Sequence, residues 1–582
     1  VCYIMNRNVE SHFSKLPRAD IQRSVFDRSH SLKTSFNAGE LIPILCEEIL
    51  PGDTVKLNTN KVIRLQTMLT PILDNLYAET YYFFCPNRIL WKHWKEFCGE
   101  NNESAWIPST VYTEPKIGSP EGGFAVGTIA DYLGIPVNVN IDNNSELAPS
   151  ALPFRAYAQI CDQWFRDQNL KDPLLIPDDD AYQTGSNGSD YINDVANGGK
   201  PFIAAKFHDY FTSSLPAPQK GASVGIPISV PQFNGGTFPV STSANFTVPE
   251  SFVPMAFTVG NTTQIGGNLS SPISYVATSG STTAVYTERP SPSGLDLVNS
   301  TSLEANPVQP ANLVVNIPDQ NGSTGSQVSF SVNELRLAFA TQRFLEKLAY
   351  GGSRYTELLR TLFGVISPDA SLQRPEYLGG SRVSLNVSEV TNNAQTENEF
   401  LGDLGGMSRT ADSNYDFTKS FTEHGWLIGV CVVRYKHTYC QGIPKKFLRT
   451  NFLDYYQPTF ANLGNMPVYS AELYADGNLE DGRSKVFGYQ EAWAEYRYSE
   501  DRCSGEMRPG IPNSLASWHL ADNYDSSPTL SSEWINEDKA NVDRVLAVTS
   551  DVANQVFGDF YFNLEHTRPM PMYSIPGLID HF

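Results

Sequence analysis

Two runs of eight residues, Tyr77–Phe84 and Trp426–Val433, dominate what this chain can fold into. The first, Tyr-Ala-Glu-Thr-Tyr-Tyr-Phe-Phe, is too aromatic for a solvated loop and too short for a core helix, so it is expected as a buried strand. The second is almost continuously apolar, as in a strand covered on both faces. Near the end, Phe560, Phe562 and Leu564 alternate with Tyr561, Asn563 and Glu565, the period-two pattern of a half-buried strand. Further strands are expected over Leu41–Leu45, Val55–Leu57 and Val62–Leu65, with a turn at Pro51-Gly52-Asp53. With 42 Gly, 38 Pro and 12% aromatic residues in 582, the reading is a mainly β chain of short strands and long irregular loops.

Helices are few. Leu90, Trp94 and Phe97 share one face of a short helix over Arg88–Cys98, stopped by Gly99. Tyr157, Ile160, Cys161, Trp164 and Phe165 recur at helical spacing as a core stripe. Ser331-Val332-Asn333-Glu334 fits a capping box, after which Leu337, Ala338, Thr341, Phe344, Leu345 and Leu348 form a face that ends at Gly351-Gly352. A second short helical pattern covers Tyr355–Phe363.

Composition divides the chain. Residues 1–37 form an extended, mildly basic arm in which Arg7, Lys15, Arg18, Arg23, Arg28 and Lys33 are candidate nucleic-acid contacts; the alternative is an ordered strip on a neighbouring subunit, its charges paired. Residues 38–208 and 332–582 form the body. Between them, 209–331 is rich in Ser, Thr, Gly, Asn and Pro and reads as a surface insertion, with strand signals at Phe246–Val248 and Ile273–Val276. The chain carries 42 basic and 63 acidic side chains, net −21, so any genome contact requires a local basic segment. No apolar run is long enough to span a bilayer. Val1–Arg7 lacks a signal-peptide pattern, and Val at position 1 suggests processing or an upstream start; a cytoplasmic origin is expected. The eight cysteines show no CxxC spacing and are expected as reduced, buried thiols.

No catalytic fingerprint is found, neither GxSxG, HExxH nor P-loop. His93 lies on the polar side of its helix. Gly-Gly pairs at 122, 198, 235, 266, 351, 379 and 405 are read as turns. Asp178-Asp179-Asp180 is read as a solvated or helix-starting loop, since it lacks the spaced ligands of a calcium loop. His424 and His437, with Cys431 and Cys440, suggest a metal only superficially, because alternation along a strand separates them. Asn-x-Ser/Thr triplets such as Asn245-Phe246-Thr247, Asn261-Thr262-Thr263 and Asn386-Val387-Ser388 are ascribed to chance. No catalytic residue, metal or cofactor is expected, and the protein is not expected to be an enzyme.

Several stretches, in order, carry a resemblance: Asp20–His30, Leu50–Thr54, Tyr82–Arg88, Leu335–Arg343, Arg374–Gly380 and Pro576–Phe582. Together they resemble the major capsid proteins of the Microviridae, small icosahedral bacteriophages, and especially the gokushovirus branch. The resemblance implies an eight-stranded antiparallel jelly roll of viral capsid type with long loop insertions and a few short helices. It implies sixty copies in a closed T=1 shell around circular single-stranded DNA, located in the virion and assembled in the host bacterial cytoplasm. It also implies a small basic DNA-binding protein, an internal scaffolding protein and a minor pilot protein as partners, and a threefold protrusion, formed by the insertion, that meets the host surface. The alternative is a carbohydrate-binding or adhesive β-sandwich. Its tempting carboxylates are Glu47-Glu48, which point to opposite faces of a strand, and Glu491 to Glu495.

Overall fold

The computed structural model describes residues 22–101, 110–142, 145–222, 224, 240–242, 274–279, 282–291, 294–299, 313–315, 332–352, 354–393, 401–477 and 485–573. Arg7, Lys15, Arg18, Cys2, Phe246–Val248, Ser331, the triplets at 245 and 261, the Gly-Gly pairs at 235 and 266, and Pro576–Phe582 lie outside them. The chain divides into two compact units, residues 1–224 with 339–582 and residues 225–338.

The first unit is built on two antiparallel sheets. The strands are β1 (Ser24–Asp27), β2 (His30–Phe36), β3 (Ile42–Ile49), β4 (Thr54–Leu65), β5 (Leu76–Pro86), β6 (Glu376–Ser384), β7 (Thr410–Ser420), β8 (Gly425–Tyr435) and β9 (Val556–Arg568). In one sheet β1 and β2 pair with successive halves of β9, followed by β4 and β7; in the other the order is β6-β5-β8-β3. Every neighbour in both sheets is antiparallel.

Side-chain alternation explains the layering. On β4 and β9 one set of residues, including Val55, Leu57, Ile63, Phe560, Phe562 and Leu564, is buried while the other set meets solvent. The second sheet is buried on both faces. Leu76, Ala78, Tyr82, Phe84, Leu427, Cys431 and Val433 join the core between the sheets. Their alternates Phe83, Cys85, Ile428, Val430 and Val432 pack outward on a second core with Phe154, Tyr157 and Ile160. The continuous apolar character of β8 follows from these two coverings. Each large apolar side chain so buried contributes about 1.5–3 kcal/mol.

Two local expectations are corrected. The helix over Arg88–Cys98 is broken into α1 (Asn87–Leu90) and α2 (Trp94–Phe97), because Trp91 leaves helical geometry to bury its ring and donate from Nε1 to Asp180 Oδ1 at 2.6 Å. Gly379-Gly380 and Gly405-Gly406 are not turns but lie within strands, Glu376–Ser384 and Leu404–Ser408. A Cβ on Gly380 would stand 2.1 Å from the Thr80 carbonyl, so the glycine permits close strand approach beside the bulge at Tyr377/Gly379. Asp178–Asp180 takes the loop alternative and starts no helix, with Asp178 and Asp180 exposed and the segment tied to Trp91, His93 and Arg155. Elsewhere α3 (Leu152–Ile160) carries the expected aromatic stripe and continues as a π-helical turn, Cys161–Phe165. The helix Val332–Gly351 forms, yet Phe344 on its apolar face is exposed.

A third core, with Tyr210, Phe211, Tyr439, Val468, Leu473, Phe487, Trp534 and Ile535, supports a lobe beyond the C-terminal end of β8. In the second unit, Ser274–Ser279, Thr282–Ser291 and Gly294–Asn299 form a three-stranded antiparallel sheet, and Val240–Thr242 pairs with Leu313–Val315. Among the described residues no helix is long and apolar enough to cross a membrane.

Candidate functional site

The described basic residues of the arm lie on β1 and β2 or beside them, against the body. Arg23 Nη2 donates to the Gly52 carbonyl at 2.5 Å and to Thr54 Oγ1 at 2.9 Å. Arg28 pairs with Glu47 at 2.6 Å, and Lys33 stands 4.0 Å from Asp559.

Other candidates are dispersed. His424 meets the Trp94 ring edge-on, Cys431 is buried between the sheets, His437 lies between two carboxylates and Cys440 lines a cleft. These four do not converge on one point. His93 Nδ1 is 2.8 Å from Asp180 Oδ1 and its ring stacks on Tyr112. Glu491 pairs with Arg497, and Glu495 with Arg449 at 3.5 Å and Lys445 at 4.0 Å.

His437 follows β8 and organises a buried ionic cluster. Its Nδ1 lies 2.8 Å from Asp522 Oδ1 and its Nε2 2.9 Å from Glu537 Oε1. Burial alone would lower the imidazole pKa, but the two carboxylates outweigh it and push it up to about 9. Asp522 is fully buried, which opposes ionisation, yet His437, Lys206 at 3.7 Å and the Tyr524 hydroxyl at 2.6 Å bring it down to about 2. Glu537 moves upward because burial dominates, and its Oε2 has no hydrogen-bond partner. Asp522 is therefore the carboxylate that His437 chiefly neutralises.

A cleft of about 820 Å³ opens on the lobe and was missed by sequence reasoning. Its lining combines Lys445, Lys446, Arg449, Arg502 and Arg508 with Tyr210, Phe211, Tyr439, Phe447, Tyr496 and Tyr498, against the carboxylates Glu472, Glu495 and Glu500. The Arg449 guanidinium lies 4.3 Å from the centre of the Tyr496 ring, and Tyr210 stacks on Tyr498. In a chain of net charge −21 this is a local excess of cations interleaved with rings. The signal was Lys445-Lys446-Phe447-Leu448-Arg449; the remaining cations arrive from residues 502 and 508.

The same lobe exposes a large apolar surface. Phe447, Phe452, Leu453, Tyr455, Tyr456 and Leu463 all face outward, Phe452 at 76% exposure. A second patch holds Tyr355, Phe363, Val365 and Ile366. Large apolar side chains left in solvent in this number are what a protein contact would bury.

Comparison with known proteins bears on what that contact is. A family model described as "Capsid protein (F protein)" matches residues 14–578. The chain is 39% identical over 577 residues to "Capsid protein VP1" of Spiroplasma virus 4, covering 97% of each chain. It is 36% identical over 598 residues to "Capsid protein VP1" of Chlamydia phage 1 (98% of each), and 35% over 587 residues to that of Bdellovibrio phage phiMH2K (99% of each).

Proposed function

Since the chain belongs to the capsid F protein family and is a phage capsid protein found in the virion, we propose that it closes into a T=1 shell of sixty copies around circular single-stranded DNA. The observation that carries this reading is the family match over nearly the whole chain, joined by the exposed apolar surfaces that self-assembly would bury. We read the body as an eight-stranded jelly roll. In support, β1 and β2 share one edge position, which leaves four positions in each sheet, ordered β2-β9-β4-β7 and β3-β8-β5-β6. The insertion serves as the outward protrusion near the threefold axis. A small basic protein, an internal scaffolding protein and a minor pilot protein complete the assembly.

Genome contact is assigned first to the lobe cleft, where cations can neutralise phosphates and tyrosines can stack bases. The arm residues Arg7, Lys15, Arg18, Arg23, Arg28 and Lys33 form a second contact in this reading; Arg23 and Arg28 reach DNA only by releasing Thr54 and Glu47. The test is the salt dependence of single-stranded DNA binding by the subunit. Lys446→Gln with Arg502→Gln lowers the slope of log K against log salt by about 1.4 if both cations contact phosphate, at about 0.7 per contact. An unchanged slope removes the cleft from the genome contact.

A further inference from the structure

The lobe cleft also holds two cysteines from distant parts of the sequence. Cys503 donates its backbone N–H to Cys440 Sγ at 3.2 Å. Both line the cleft, so a small solute reaches them from solvent. Arg508 donates from Nη1 to the Cys440 carbonyl at 3.0 Å, which ties its cation to that residue, and Arg502 also lines the cleft. We infer that Cys440 and Cys503 form a reversible thiol–disulfide site whose co-substrate is a hydroperoxide, with Cys440 attacking and Cys503 resolving.

The attacking species is a thiolate, so the sulfur that reacts is the one whose anion is stabilised. At Cys440 the hydrogen bond from Cys503 outweighs desolvation, and the Cys503 N–H and Arg508 add to it, so its thiol sits below the ordinary range. The same contact pushes Cys503 upward. The other described cysteines differ. Burial drives Cys46 and Cys431 up to about 12 and raises Cys85 and Cys161 still further. Cys98 is exposed, is raised by desolvation and stands outside the cleft.

The chemistry balances with hydrogen peroxide as oxidant. The Cys440 thiolate attacks one oxygen; an S–O bond forms, the O–O bond breaks, and the departing hydroxide takes a proton to become water. Cys503 sulfur then attacks the sulfenic sulfur; the S–S bond forms, the S–O bond breaks, and the thiol proton leaves with hydroxide as a second water. Peroxide is reduced by two electrons, and the thiol pair is oxidised by two. The bridge spans 63 residues and ties the segment around Cys503 to the exit of β8. A thiol reductant reverses it.

The experiment exposes the full-length protein to hydrogen peroxide, quenches by alkylation in denaturant, and maps peptides by mass spectrometry. The expected product is a Cys440–Cys503 peptide lighter by two hydrogen atoms and restored by dithiothreitol, while Cys46, Cys85, Cys161 and Cys431 stay reduced. In Cys503→Ser, a sulfenic-acid probe such as dimedone is expected on Cys440, about tenfold faster than on Cys98. Arg508→Met is expected to slow that labelling. Oxidation at Cys98 ahead of Cys440, or peroxide consumption without the cross-linked peptide in the unsubstituted protein, overturns the assignment.

Discussion

Replacing His437 by alanine removes the cation that holds Asp522 and Glu537 together beyond β8. In the folded protein His437 titrates near 9, against 6.5 for an unperturbed imidazole. A base whose folded pKa is raised lends stability that is complete below 6.5 and is lost as pH rises through about 9. The shift corresponds to about 3 kcal/mol, at about 1.4 kcal/mol per pKa unit. At pH 6 the substitution also leaves buried carboxylates uncompensated, so its total cost is expected at about 3–5 kcal/mol. The assay is chaotrope unfolding of unassembled subunits at pH 6, 8 and 10, followed by tryptophan fluorescence, to which Trp534 in the adjoining core contributes. The wild type should weaken from pH 6 to pH 10, and the difference between wild type and His437→Ala should shrink by about 3 kcal/mol over the same interval. A gap that stays constant across that window refutes the view that His437 is protonated in the fold.

Lys61 is buried between the sheets, 3.2 Å from Asp412 and 2.5 Å from Ser381 Oγ, so Lys61→Met should cost about 3 kcal/mol in equilibrium unfolding. Gly429→Ala places a methyl 2.7 Å from the Tyr82 ring and 3.0 Å from Leu45 Cβ; overpacking predicts a loss of about 1–3 kcal/mol, read as a lower denaturation midpoint. Phe447→Asp with Phe452→Asp, both on the exposed lobe, should leave subunit unfolding unchanged but abolish particles in sedimentation.

Strands whose burial is written along the chain were legible. Phe560, Phe562 and Leu564 declare one buried face by their period, and β8 declares two by its lack of one. What escaped sequence reasoning depends on partners far away in the chain. Trp91 leaves its helix for Asp180, 89 residues on; Gly380 sits in a strand because Thr80 passes within contact distance. The His437 cluster gathers residues 206, 522 and 537, and the cleft joins residues 445–449 to 495–508. The resemblance named the family from ordered short motifs, whereas these sites arise only once the sheets bring separated segments together.

Negative-stain electron microscopy of the expressed protein at high concentration, or of particles from its source, reads assembly itself. Closed particles of one small diameter are expected. Monodisperse monomers that never close, under conditions where the subunit is folded, would contradict it.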